Sequence, residues 1–340
     1  MHPRIALITG ANSGIGFGIA QHLACRHSDT TPFRIVLACR SKTKAECARD
    51  ALVSRCFAGR EKQGQDVIQI LLIDMGSIES VMNACKEFKS RFQYLNYLFC
   101  NAGTMNATGA NLCNAAYLLF TNPLHLARTG GGGAVLTQRP NATSIDGLGD
   151  TFHTNVFGHY IMVRELERLL AIANRTTQVP ARVIWVSSLT ASSEFLHPDD
   201  IQALHHNSKY ESSKRLMDVL SMHLSRSWVG KDMYSFITDP GVTMTSIVDG
   251  LLPKWMLVFA YYAMRFLGTG ATVSAVDGAY AAVHVALTDQ PEAFNPNVKY
   301  GSWTSPFGST SVVERKLEKV SPRDEGALLQ LEKLRSKLCR

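Results

Sequence analysis

The stretch "RIALITGANSGIG", residues 4–16, decides the fold. A continuously apolar run passes into "TGANSGIG" at 9–16, where glycines 10, 14 and 16 stand in a G-x3-G-x-G spacing before a helical pattern. Glycine lets the backbone turn tightly and lets a pyrophosphate approach a helix N-terminus, whose free N–H groups and dipole favour negative charge. A glycine turn alone also serves as a plain structural connection. Its place between a first strand and a first helix points instead to a dinucleotide cradle made by Gly10, Asn12, Ser13, Gly14, Ile15 and Gly16.

Working outward, apolar runs at 34–39, 67–73 and 97–100 alternate with helical patterns at 16–26, 42–56 and 77–92. Continuously apolar strands alternating with helices predict a parallel sheet covered on both faces, an α/β doubly wound fold. The second strand ends in "LACRSKTK", 37–44, with Arg40 and no carboxylate. An acidic residue there would hold a ribose 2′-hydroxyl, whereas an arginine fork suits a 2′-phosphate, so the expected cofactor is NADPH/NADP+. Lys42 and Lys44 read as the solvated start of a helix.

The alternation breaks at 104–141, an expected insertion carrying four glycines at 130–133. It resumes with a helix after 144–146, strands at 182–187 and 234–239, a helix near 276–287, a short strand near 298–300 and a C-terminal helix from about Asp324. The reading is one dinucleotide-binding domain over 1–340, with insertion 104–141, lid or membrane-contact segment 245–270 and C-terminal helix 321–340. Of 340 residues, 46% are hydrophobic, and the net charge is +7. That balance suits an anionic cofactor or membrane surface. Lys and Arg are scattered without a basic-aromatic motif, so no nucleic-acid partner is expected. The eight cysteines contain no CxxC pair and read as reduced core residues, with no metal site.

In "NSKYESSKRLMDVL", 207–220, Tyr210 and Lys214 share a helical face. They are either an ordinary exposed pair or an acid with its tuning charge. A free phenol has a pKa of about 10 and releases its proton too reluctantly near neutrality. A nearby ammonium would lower that pKa. The motifs "TGANSGIG", "NAG" (101–103), "TNVFGH" (154–159), "VSS" (186–188), "YESSK" (210–214) and "DPG" (239–241) occur in order across nearly the whole chain. In this the sequence resembles the short-chain dehydrogenase/reductase family.

That resemblance implies catalytic roles for Tyr210, Lys214, Ser188 and Asn155, with Ser187 as the fallback serine. Asn155 would anchor a water relay to Lys214 through its side chain or a displaced carbonyl, or simply cap a local kink. The resemblance also implies that Asp74 contacts the adenine, Asn101 shapes the cofactor floor, and Pro240 and Gly241 border the cofactor. Thr245 would reach the nicotinamide carboxamide, with Thr243 as a competitor. The segments at 136–170, 182–188 and 291–300 are similar to a steroid-reducing branch of the family. They imply NADPH-dependent reduction of the 3-keto group of sterol intermediates in sterol biosynthesis, with 17-keto steroids such as estrone as further substrates. A reductase of retinal or xenobiotic ketones, or a scaffold subunit of a sterol C4-demethylation complex, is the alternative.

The apolar run 255–264 is too short to span a bilayer, which needs about 20 residues. With Trp255, Phe259 and Tyr261 between Lys254 and Arg265, segment 251–267 reads as a substrate lid, a peripheral membrane contact or a dimer interface. The expected location is the endoplasmic reticulum membrane, facing the cytosol. Candidate partners are a sterol or steroid ketone, C4-demethylation complex subunits and a second copy of the chain.

Overall fold

The computed structural model describes residues 2–122, 135–139, 142–243, 262, 265–266, 269–272 and 274–339. Its strands are β1 (Arg4–Thr9), β2 (Phe33–Cys39), β3 (Ile68–Leu72), β4 (Tyr97–Cys100), β5 (Ala107–Ala110), β6 (Leu136–Gln138), β7 (Ala181–Val186), β8 (Met233–Asp239), β9 (Val298–Thr304) and β10 (Thr310–Lys316). The longer helices are α1 (Gly14–Ala24), α2 (Lys42–Cys56), α3 (Ile78–Arg91), α4 (Gly158–Thr177), α5 (Lys209–Ser227), α6 (Tyr280–Leu287) and α7 (Pro322–Leu338).

Eight strands form one sheet in the order β10-β9-β8-β7-β4-β1-β2-β3. All its pairings are parallel except β9 with β10. Successive strand residues face opposite sides. Leu7 joins a core with Phe88, Val163, Trp185 and Leu216 under α3, α4 and α5. Its neighbour Ile8 joins Ile19, Leu52, Phe236 and Val285 under α1, α2 and α6. Both faces of the sheet are therefore dry, which is why its strands read as continuous apolar runs. The chain winds outward through β2 and β3, then returns to place β4 on the other side of β1. That reversal opens a crevice beyond the carboxyl ends of β1 and β4, where such sheets bind ligands.

Three expectations need correction. β10 was not anticipated, and β9 runs on to Thr304. "TSVVERK" is a half-exposed edge strand with no continuous apolar run, so its sequence carries no buried-strand signal. Val67 closes the helix Glu61–Val67 rather than opening β3. Cys25 and Cys56 are not reduced core residues: α1 and α2 pack side by side, and their ends are joined by a disulfide with Cα atoms 4.9 Å apart. Cys47 and Cys113 are exposed, while Cys39, Cys85 and Cys100 lie in the core as expected.

Within 104–141, β5 pairs antiparallel with β6, and Leu112–Thr121 is a helix. The glycine run 130–133, most of segment 251–267 and Thr245 lie outside the described residues. Among the described residues no helix is long and apolar enough to cross a membrane.

Candidate active site

The cradle is built from backbone. Gly10 has φ +66°, a left-handed value, and a Cβ on Gly16 would stand 2.5 Å from both Asn101 Nδ2 and the Gly10 carbonyl oxygen. A Cβ on Gly14 would meet nothing within 4 Å, so the turn is open on its ligand side. Thr9 ties the ends of β1 and β4 together. Its hydroxyl accepts from the backbone N–H groups of Asn101 and Ala102, both at 2.9 Å. Asn101 Nδ2 donates back to the Thr9 carbonyl at 2.7 Å. At the end of β2, Arg40 is largely exposed and lies 3.9 Å from the Asp74 carboxylate. Asp74 is itself fixed by accepting from Gly76 N at 3.0 Å.

A crevice of about 960 Å³ runs from these groups to α5, bordered by Gly14, Arg40, Asn101, Ser188, Tyr210 and Pro240. Its size suits a large organic ligand. Open space at Gly14, an exposed guanidinium at one end and a laced asparagine floor together fit a phosphorylated dinucleotide.

The opposite wall starts with α5. Ser208 offers no side-chain cap, and Gln138 from β6 acts in its place. Gln138 accepts from Tyr210 N at 3.0 Å and donates to Glu211 at 2.9 Å. The 104–141 segment thus fixes the first turn of α5. One turn onward, the buried Lys214 donates to the Val186 carbonyl at 2.8 Å, with Nζ 5.4 Å from the Tyr210 ring centroid.

The expected acidification of the phenol is not found. Burial pushes Tyr210 up to about 12, with the Ser188 hydrogen bond pulling it down and the Glu211 anion adding to the rise. Burial likewise draws Lys214 down to about 8. The reason is geometric: the ammonium points at a strand carbonyl and lies over the ring rather than at the hydroxyl. Such a phenol keeps its proton at neutral pH, the state a proton donor needs before reaction.

The two serines differ. Ser188 is half-buried, bonds Thr190 Oγ1 at 3.0 Å and interacts with Tyr210. Ser187 is buried, with its hydroxyl donating to the Lys214 carbonyl at 3.4 Å and accepting from Lys299 Nζ at 3.3 Å. Asn155 sits in a π-helical turn, His153–Phe157. Its amide accepts from Thr104 N at 2.8 Å and donates to Thr104 O at 3.0 Å and Ser213 Oγ at 2.9 Å. Its carbonyl lies 2.9 Å from His159 Nδ1, whose ring reaches Thr9 Oγ1 at 2.8 Å through Nε2. Burial drives His159 down to about 3, so the ring is neutral. Its partners assign the proton to Nδ1.

Beyond β8, Gly241 has φ +69° and donates to Asp239 Oδ1 at 2.9 Å. Asp239 is paired with Arg315 at 2.7 Å. Thr243 donates to the Pro240 carbonyl at 2.6 Å and borders the crevice. The crevice thus brings together Tyr210, Lys214, Ser188, Arg40, Asp74, Asn101, Pro240, Gly241 and the glycine turn. Asn155 stands just behind it. Sequence reasoning missed Thr9, Gln138, His159, Asp218 and Lys299. Two of these left a trace: His159 lies four residues after Asn155, and Lys299 interrupts a run that otherwise reads as a buried strand.

The short chain dehydrogenase family model matches residues 4–118. The chain is 35% identical to the 3-keto-steroid reductase/17-beta-hydroxysteroid dehydrogenase 7 of Rattus norvegicus, covering 97% of this chain and 96% of that one. The Homo sapiens protein of the same name is 34% identical, with 97% and 94% covered. The 3-keto-steroid reductase of Schizosaccharomyces pombe is 30% identical, with 96% and 94% covered. Among solved structures, the NADPH-bound carbonyl reductase from chicken fatty liver superposes with TM-score 0.55 at 16% identity, covering 88% of this chain and 97% of that one. A Pseudomonas aeruginosa RhlG/NADP complex gives TM-score 0.58 at 21% identity, with 87% and 96% covered. With a doubly wound sheet, a glycine cradle at the β1 end and relatives alike over nearly their full length, this chain belongs to the short-chain dehydrogenase/reductase family.

Proposed function

We propose that this chain reduces the 3-keto group of sterol intermediates in sterol biosynthesis, with NADPH as the reductant. The observation that carries the reading is the convergence of Ser188, Tyr210 and Lys214 on one wall of a crevice whose other wall is the glycine cradle, in a chain similar over its full length to 3-keto-steroid reductases. Gly10, Asn12, Ser13, Gly14, Ile15 and Gly16 hold the pyrophosphate. Arg40 takes the 2′-phosphate, Asp74 the adenine edge, and Asn101, Pro240 and Gly241 border the nicotinamide half. When bound, the cofactor supplies a hydride.

The residues of the chain manage the ketone oxygen. Ser188 donates a hydrogen bond to it, aimed at charge that grows as the carbonyl is reduced. Tyr210, protonated at neutral pH, hands its proton to the same oxygen. Lys214, held at the Val186 carbonyl one turn along α5, is the residue that would hold the ribose hydroxyls. Asn155 fixes the loop at Thr104 and the helix at Ser213 beside this group.

NADPH oxidation with a 4-methylated 3-keto sterol, estrone and retinal side by side tests the substrate. The sterol should be turned over fastest and estrone more slowly. Retinal as the preferred substrate would refute the reading.

Peripheral attachment to the endoplasmic reticulum membrane belongs to the same proposal. Phe307 is 94% exposed and Phe266 68%. Arg265 connects their segments by donating to the Ser305 carbonyl at 2.6 Å. Apolar rings of this kind suit the acyl boundary of a bilayer, where a sterol ketone partitions. Alkaline carbonate should release the protein from microsomes; retention in the pellet would argue for an embedded anchor. Subunits of a C4-demethylation complex and a second copy of the chain are the proposed protein partners, read by co-purification and by mass in solution.

A further inference from the structure

Behind the catalytic wall lies a buried ion pair that the reduction itself does not use. Lys299 of β9 is 2.8 Å from Asp218 Oδ2, with side chains 7% and 2% exposed. The Lys299 ammonium also donates to the Ser188 carbonyl at 2.7 Å and to Ser187 Oγ at 3.3 Å, so its three donors have three acceptors. Asp218 follows Lys214 by one turn of α5 and therefore lies on the same face. Its second oxygen, Oδ1, is buried and has no hydrogen-bond partner among the described residues.

Two ammonium groups grip the end of β7. Lys214 holds the Val186 carbonyl and Lys299 the Ser188 carbonyl, so the peptide that carries the Ser188 hydroxyl is fixed on both sides. We propose that Asp218 and Lys299 are positioning residues for the reduction, locking the Ser188 backbone in place and balancing the charge around Lys214.

The charge environment fits. Asp218 raises the pKa of Lys214, and Lys299 lowers it. The other groups facing this cluster are Tyr210 on α5, neutral His159 on α4, and Asp239 at the end of β8, which is paired with Arg315 of β10. Removing either member of the Asp218–Lys299 pair leaves one sign of charge unopposed beside Lys214. Removing both leaves none, although it frees the Ser188 carbonyl.

This inference rests on the proposed roles of Ser188, Tyr210 and Lys214. Its test therefore follows two pH profiles in full-length protein: kcat for 3-keto sterol reduction and NADPH affinity from the cofactor's own fluorescence. In Asp218→Asn the alkaline fall of both profiles should move down by about one pH unit, because Lys214 loses a nearby anion. In Lys299→Gln both should move up by a similar amount, because a cation is lost. A purely structural pair would lower yield and melting temperature without moving the two limbs in opposite directions.

Limbs that stay in place, or move the same way in both variants, overturn the proposal. Should a single variant fail to fold, Asp218→Asn/Lys299→Met removes the pair together. Its limbs should stay near wild type while kcat falls about tenfold from misplacement of Ser188, and undiminished kcat would overturn the proposal. Wild-type protein without ketone reductase activity would refute the functional reading instead. The affinity profiles would still report whether the pair tunes Lys214.

Discussion

The cradle and the catalytic wall face each other across one crevice, yet they are built in different ways. The cradle is local. Residues 9–16 fold on themselves through positive φ angles and close backbone approach, and the contact they need from elsewhere is mainly the Asn101 floor. The wall is assembled from a distance. Gln138 caps α5 from 72 residues away, Lys299 holds Ser188 from 111, and Asp324 grips Arg215 from 109. Backbone geometry shapes one side, and buried polar and charged pairs shape the other. A dinucleotide site can thus be kept by a short motif, while the reacting side depends on the C-terminal strands and helix.

Three cation–anion contacts carry that dependence: Lys299–Asp218 and Arg215–Asp324, buried on both sides, and Arg315–Asp239, whose guanidinium is partly exposed. Breaking Arg215–Asp324 should give the largest effect. Arg215 and Asp324 are both 1% exposed and meet in a two-point contact at 2.8 and 3.2 Å. Arg215→Met leaves Asp324 buried without its cation and should cost about 3–5 kcal/mol of stability by denaturant melting. Removing both partners with apolar residues should recover much of it. A single variant as stable as wild type would break the contrast between a local cradle and a braced wall.

Ser188→Ala comes next. Losing one donor at the developing oxyanion should cut kcat by about 10²–10³. Ser187→Ala, at a hydroxyl turned toward Lys214 and Lys299, should cost far less. Equal losses would mean that the two serines share the ketone. Arg40→Ala sharpens the other side: NADPH affinity should fall about 10–100-fold, the scale of lost charge-assisted hydrogen bonds, with NADH binding little changed. An equal loss for both cofactors would remove Arg40 from the 2′-phosphate.

The smallest effect concerns His159, which links Thr9 in the cradle to Asn155 behind the wall. Its folded pKa of about 3 lies below the 6.5 of a free imidazole, so as pH falls through that window the unfolded chain takes up a proton that the native ring refuses. Stability should therefore decline from pH 6.5 downward, and His159→Gln should show a shallower decline in melting temperature over the same range. Parallel slopes would contradict the buried neutral ring.

The fold was largely legible because both faces of the sheet are dry: β1, β2, β4, β7 and β8 announce themselves as apolar runs. β10 did not, since an edge strand half in water carries polar residues along its length. The α1–α2 disulfide was also missed, because a pairing 31 residues apart is fixed by how the helices pack and not by spacing. Within the site, the order of motifs pointed to Tyr210, Lys214 and Ser188. The sequence suggested the wrong electrostatics, however: helical spacing put the ammonium beside the phenol, whereas folding buried Lys214 and turned it toward Val186, leaving Tyr210 half-buried at the crevice. Lys299 and Asp218 meet only when β9 lies beside β8 and α5 packs beneath them, a juxtaposition that no local pattern encodes.

Tyr210→Phe tests the central claim most directly, measured as single-turnover NADPH oxidation with a 4-methylated 3-keto sterol alongside NADPH binding. The account predicts a rate loss of about 10²–10⁴, the scale of a lost general acid, with NADPH affinity unchanged. A variant that reduces the ketone at the wild-type rate would contradict it.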